Sequence, residues 1–382
     1  MPQRSLSLAA LLACVFTFGV AFAGIIPWIT LVLESRGVSP VTIGVVSGAN
    51  ALGVMIMAPF AGRIVRRFGM ANALLAGGFV ATCTIGLLPI FDSVPAWIAL
   101  RLLSGLAGAV PWIATETWIN MIAGDSVRAR VIALYAVALA LGFSVGPIVL
   151  TATGTEGLLP VVTFLLISLA SMLPVLVVRR HAPELEAEEG SDVWKALIAM
   201  PTVMIAVFVA GSVDTAFFAF LPIWGTRIGL EQGPALMLLS MFVAGNIVLQ
   251  FPIGWLADRI GARKIMALSG LICLLAPLPA LAAAGSMVAL GAVLFVWGGA
   301  AWSLYSLALV EIGHRLSGSA LAAANGAIVL VYTISNITGP PAAGGSMQIW
   351  NPHGFLFVSS AAAAVLLVVL LLRRRGGARP RI

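Results

Sequence analysis

Three charged residues in this 382-residue chain sit where charge is expensive. Asp214 stands alone in the apolar run Val-Ala-Gly211-Ser212-Val-Asp214-Thr215-Ala-Phe217-Phe218, and Glu116 and Arg101 lie in a second run. A charged group near the centre of a membrane helix costs at least ~2.5–3.5 kcal/mol unless it faces protein or water. A carboxyl kept at such depth is suited to binding and releasing a proton, which proton-coupled work requires. The competing role for Asp214 is a polar lock, hydrogen-bonded to a neighbouring helix. Arg101, Gly105, Gly108, Trp112, Glu116 and Asn120 follow steps of 4, 3, 4, 4 and 4. That spacing places them on one slowly drifting helical face, a polar stripe across an apolar helix. Here too a structural role competes: Arg101 could snorkel to an interface, and Glu116 could be held by a partner. Glu311, one turn from His314 and Arg315, reads as part of a structural ion pair.

Other chemistries find no support. Cys14, Cys83 and Cys273 show no CxxC or Cys/His spacing, so no metal site is expected and no cofactor is implied. No HExxH helix, paired-Asp constellation or Ser/His pair occurs in the apolar runs, which argues against an intramembrane enzyme. The polar and aromatic residues Trp28, Asn50, Trp112, Phe217, Trp224, Asn246, Trp302, Tyr305 and Asn336 are candidates for the wall of a cavity that takes a small molecule. Aromatic residues at helical spacing also serve as packing or interface anchors, and the two uses look alike in sequence.

These residues must be positioned by membrane helices. Hydrophobic residues make up 61% of the chain and charged residues 9%, whereas about a quarter of a soluble domain is charged. A spanning helix needs ~20 mainly apolar residues. Twelve such runs are expected at approximately 6–33, 41–62, 70–90, 95–122, 129–153, 157–178, 201–226, 233–257, 264–284, 287–313, 318–345 and 353–373. The first reads as a span, since its apolar length exceeds that of a signal peptide. The net charge of +7 is topological. With both ends inside, 18 of the 21 Lys and Arg fall in cytoplasmic loops or termini, leaving Arg36, Arg101 and Arg227 elsewhere. The positive-inside rule then predicts cytoplasmic termini. No basic surface is interleaved with aromatics, so nucleic acid is not an expected partner. The expected partners are the bilayer, a small molecule and protons, with the chain as a monomer. The polar stretch from Arg179, with Glu184, Glu186, Glu188, Glu189 and Asp192, reads as a cytoplasmic linker. The expected organisation is residues 1–178, linker 179–200 and residues 201–382, giving an all-α membrane protein of two pseudo-symmetric six-helix halves.

Duplication is visible directly. Gly254-Trp-Leu-Ala-Asp258-Arg259-Ile-Gly261-Ala-Arg263 recurs, 192 positions earlier, as Gly62-Arg63-Ile-Val-Arg66-Arg67-Phe-Gly69, and Gly146-Pro147 precedes Gly339-Pro340 by 193. Repeats of half a chain are a transporter architecture. The Gly-x-x-x-Asp-Arg-x-Gly-x-Arg loop resembles the signature of the major facilitator superfamily, matched by Gly254, Asp258, Arg259, Gly261 and Arg263. The first half departs from it, with Arg66 in place of Asp258 and Ala71 in place of Arg263. Arg101 to Gly105 is similar to that superfamily's Arg-x-x-Gln-Gly element, with Ser104 for Gln. Gly142-Phe-Ser-Val-Gly146-Pro147 resembles the element associated with drug-efflux antiporters, without its closing glycine pair. The resemblance implies twelve helices, alternating access, a gate at the signature loops and proton-driven export from the inner membrane. Proton-coupled import of a metabolite and a non-transporting sensor remain open alternatives.

Overall fold

Local chemistry starts the helices where the apolar runs begin. The Ser39 side chain accepts the Thr42 N–H at 3.3 Å with Pro40 in the first helical turn, and Ser286 caps the helix from Met287 through Ala289 N–H at 3.4 Å. Such caps satisfy backbone donors that a helix start leaves open. The computed structural model describes residues 2–123, 128–183 and 193–375, and no strand occurs among them. Eleven helices there are long and apolar enough to cross a membrane. They are Ser5–Ser35, Pro40–Phe68, Met70–Ile90, Val94–Ile122, Arg130–Thr153, Leu159–His181, Pro201–Arg227, Gln232–Ile260, Ala262–Ala282, Met287–Gly313 and His353–Leu372. Gly318–Ile349, of 32 residues, lies between the last two and completes twelve. In chain order these are spans one to twelve. A short helix, Val193–Ala199, precedes span seven, and the acidic residues from Glu184 to Asp192 lie outside the described residues.

Interior prolines repeat with the halves. Pro59 and Pro252 occupy spans two and eight, Pro147 and Pro340 spans five and eleven, and Pro27 and Pro222 spans one and seven. Each removes a backbone hydrogen-bond donor from its helix interior.

Packing within the bilayer depends on close approach of small residues rather than on the hydrophobic effect. Gly142 and Gly146 bring span five against span one: a Cβ on Gly146 would lie 2.7 Å from the Val20 carbonyl and 2.8 Å from the Gly24 nitrogen. Gly105 seats span four on span two at the Asn50 backbone, and Gly44 and Gly48 seat span two on span eleven at Pro340 and Ile337.

The start of span one and the end of span twelve lie on one side, called here the terminal face, and the other side is the far face. One apolar cluster runs through both halves, from Trp28, Trp97 and Phe143 to Phe218, Trp224 and Trp297. Near the terminal face, by contrast, a cluster around Trp118 and Val65 belongs to the first half and a separate one around Val207 and Ile312 to the second. Polar links also join the halves toward the far face: Arg227 to Glu34 at 2.8 Å, Gln232 to Thr155 at 2.6 Å, and Ser240 to the Ser144 carbonyl at 3.0 Å. The halves are thus closed together at the far face.

Candidate functional site

Span four crosses the first half with its polar stripe. Arg101 is buried and its Nε has no hydrogen-bond partner, while Asn50 Nδ2 donates to the Arg101 carbonyl at 3.5 Å. Gly108 has open space where a Cβ would stand, so the middle of the stripe borders a void. Trp112 is partly exposed, its ring edge-on to Phe18 at 5.8 Å. Phe18, Gly108, Trp112, Thr115 and Tyr135 line this cavity. Glu116 follows one turn later, half-buried, and Tyr135 of span five donates its O–H to Glu116 Oε1 at 3.0 Å.

The second half carries its carboxyl on a helix that does not correspond to span four. Asp214, midway along span seven, accepts the O–H of Tyr332 of span eleven at 2.5 Å. Asn336, one turn after Tyr332, has a buried Oδ1 without a partner. Tyr305 of span ten meets the Tyr332 ring edge-on at 5.2 Å. Trp302, one turn earlier on span ten, packs on Phe143 of the first half at 6.2 Å, and Phe143 also meets Phe218 at 5.7 Å. Gln250 of span eight donates to Ser306 of span ten. Each half therefore presents one carboxyl held by one tyrosine, and aromatic contacts join the halves beside them.

Other sequence candidates sit elsewhere. Trp28 is buried against Trp97 at 5.8 Å and donates to the Thr155 carbonyl, toward the far face. Phe217 is packed among Phe242, Trp297 and Phe355, and Trp224 donates to His353 Nδ1 at 3.2 Å; both belong to the core of the second half rather than to an open wall. Asn246 is buried on span eight. The partners Tyr135 and Tyr332 are not singled out by motif or spacing; their one signal is rarity, since the chain has three tyrosines.

The two signature loops turn on glycine. Gly69 and Gly261 have φ of 81° and 99°, a backbone region closed in practice to other residues, and each joins two antiparallel spans. Gly62 and Gly254 meet no side chain or neighbouring backbone closely. Beyond the glycines the loops differ. Arg263 reaches Glu311 at 2.8 Å and Arg315 meets the same carboxylate oxygen at 2.6 Å, tying the second loop to span ten. In the first half Ala71 is buried in the cluster of Trp118 and Ile119, so apolar packing replaces the ion pair. Arg259 stacks over Trp255 at 3.9 Å, Arg67 over Phe68 at 5.7 Å, and Arg66 is exposed. Asp258 is exposed, with no ion pair among the described residues.

Twelve apolar helices in two related halves, packed together at one face and holding a half-buried carboxyl in each half, define a membrane transporter. The family model described as Major Facilitator Superfamily matches residues 11–310 and 232–382, and the chain belongs to that superfamily. It is 25% identical over 348 residues to the uncharacterized MFS-type transporter YfkF of Bacillus subtilis (strain 168), covering 88% of this chain and 87% of that one. It is 24% identical to the uncharacterized MFS-type transporter YcaD of Shigella flexneri, covering 91% and 90%. The fold is also that of the nucleoside transporter NupG in its D323A mutant, with a TM-score of 0.81, 14% identity and coverage of 96% and 99%. A D-xylose-proton symporter gives a TM-score of 0.72 at 14% identity, with 96% of each chain covered.

Proposed function

We propose that this transporter exports a small amphipathic organic compound across the cytoplasmic membrane in exchange for protons, as a monomer with both termini in the cytoplasm. The observation that carries the reading is the pair of carboxyls at depth, Asp214 and Glu116, each held by a tyrosine hydroxyl and lying on opposite halves. With the halves joined at the far face, the conformation is the one that opens toward the cytoplasm. Protonation of Asp214 or Glu116 removes a charge held among membrane helices and so changes the relative free energy of the two conformations; that difference is what lets a proton gradient drive the cycle. The exposed Trp112 and the half-buried Trp302 and Tyr305 supply apolar and π surface for an amphipathic compound. The gate comprises the loops of Gly62, Arg66, Arg67 and Gly69 and of Gly254, Asp258, Arg259, Gly261 and Arg263.

A second reading, proton-coupled import, is favoured by one feature. Arg101 is buried and has no carboxylate partner among the described residues, so an anionic substrate would find a cation waiting. Flux measured in inverted and right-side-out vesicles, with a substrate found by screening a strain that lacks the protein, separates the two. Export predicts uptake into inverted vesicles driven by an acidic interior. Uptake only into right-side-out vesicles with an acidic exterior would establish import instead.

A further inference from the structure

Span five of the first half packs against span eight of the second, and a groove of about 570 Å³ runs along the seam between them. Ser144 and Thr151 of span five line one side and Met237, Met241 and Ala244 of span eight the other, with Met287 of span ten completing the wall. Two polar links between the halves bound it. Ser240 donates to the Ser144 carbonyl at 3.0 Å within the groove, and Gln232 donates to Thr155 at 2.6 Å beyond its far end. Gly233 lets the spans close there, since a Cβ on it would stand 3.2 Å from the Thr151 methyl. The hydroxyls of Thr151 and Ser240 are spent on backbone carbonyls, so the surface they leave is methyl and methylene, beside three thioethers. Gly291 makes room for the Met241 thioether, and methionine adapts its shape to a flexible apolar ligand. From Gly233 to Ala244 span eight rises ~16 Å, about half of the ~30 Å hydrocarbon thickness, so the groove runs the depth of one leaflet.

Charge at the mouth of the groove selects among lipids. Glu156 and Glu231, the chain neighbours of Thr155 and Gln232, are exposed there, and neither is in an ion pair among the described residues. The arginines of the far face are already engaged, Arg36 with Asp92 at 3.5 Å and Arg227 with Glu34 at 2.8 Å. Two unpaired carboxylates repel an anionic headgroup and attract an ammonium. We propose that the seam of spans five and eight is a binding site for a phospholipid with an ammonium headgroup, one acyl chain lying along Met237, Met241 and Met287 and the ammonium against Glu156 and Glu231. The chain touches both halves where they are joined, and the headgroup bridges a carboxylate of each. Rocking that opens the far face parts these two walls and separates the carboxylates. The bound lipid therefore favours the conformation closed at the far face.

Photocrosslinking of the full-length protein in lipid nanodiscs tests the site without a substrate. Phosphatidylethanolamine carrying a diazirine on its acyl chain is activated, and labelled positions are read by mass spectrometry. Label is expected on Met237, Met241 and Met287 severalfold above Val288, which is exposed at the same depth outside the groove. A244W, which fills the groove, should remove that excess. E156Q and E231Q together change only exposed positions, and should lower it to the level given by phosphatidylglycerol with the same chain. Spin labels at Ser93 and Gly285, in a background lacking the three cysteines, report the hold on the far face. The ratio of open to closed should be about two- to threefold lower in phosphatidylethanolamine than in phosphatidylglycerol, the order of one exposed ion pair, and E156Q with E231Q should abolish the difference. Equal labelling of Val288 and the three methionines would overturn the site, and equal labelling by the two lipids would overturn the headgroup assignment. The same ratio in both lipids would overturn the hold on the far face. Unlabelled methionines together with a dimer in native mass spectrometry would assign the groove to a second copy of the chain instead.

Discussion

Asp214 and Glu116 occupy corresponding roles on opposite halves, but their settings differ. Asp214 lies mid-membrane with Tyr332, whereas Glu116 lies about two turns from the terminal end of span four with Tyr135. If transport is proton-coupled as proposed, the deeper group is the better proton carrier, because changing its charge has the larger effect where water is scarce. Asp214→Asn is therefore expected to abolish gradient-driven transport while leaving substrate exchange, since the neutral amide imitates the protonated state. Glu116→Gln should leave a measurable gradient-driven rate. Equal residual rates in vesicle flux would reverse the ranking. Both carboxyls are legible in the sequence because desolvation makes charge rare in apolar runs. Their tyrosine partners are not, since an aromatic at helical spacing looks the same whether it packs or donates. For that reason Trp28, Phe217 and Trp224 are indistinguishable in sequence from Trp112 and Trp302, although the fold buries the first three in its core.

Glycines in this protein occupy four settings, and each setting predicts its own response. Gly261 needs its positive φ, so Gly261→Ala should cost about 1–3 kcal/mol, whereas Gly254→Ala, with space around it, should cost little. Gly146 is a contact surface, so Gly146→Leu should drive span five from span one and lower the unfolding temperature sharply. Gly108 borders the cavity, so Gly108→Ala should leave stability unchanged. Thermal unfolding in detergent reads all four, and a stable Gly146→Leu would refute the close-packing role. The motif glycines and the twelve-run pattern are legible in the amino-acid sequence, because backbone geometry and bilayer thickness constrain them directly. The ion pair of Arg263 with Glu311 is not, because it joins residues 48 positions apart that only folding brings together.

At the scale of the whole molecule, the far face is held by contacts that a rocking motion must break. The Arg227–Glu34 pair is half-buried and strengthened by a 2.7 Å bond from Arg227 to Asn351. Exposed pairs contribute ~0.2–1 kcal/mol, so Arg227→Ala should raise the ratio of open to closed at the far face by about 1.4- to fivefold. Spin-label distances report that ratio directly, and an unchanged population would remove the pair from the gate.

The measurement that tests the central claim, alternating access between two rocking halves, uses two label pairs in a background lacking Cys14, Cys83 and Cys273. One pair, at Asp92 and Gly285, reports the far face; the other, at Asn72 and Lys264, reports the terminal face. Double electron–electron resonance is expected to show reciprocal change as pH is varied, the far-face distance lengthening as the terminal-face distance shortens. Distances that stay fixed, or that lengthen and shorten together, would contradict alternating access.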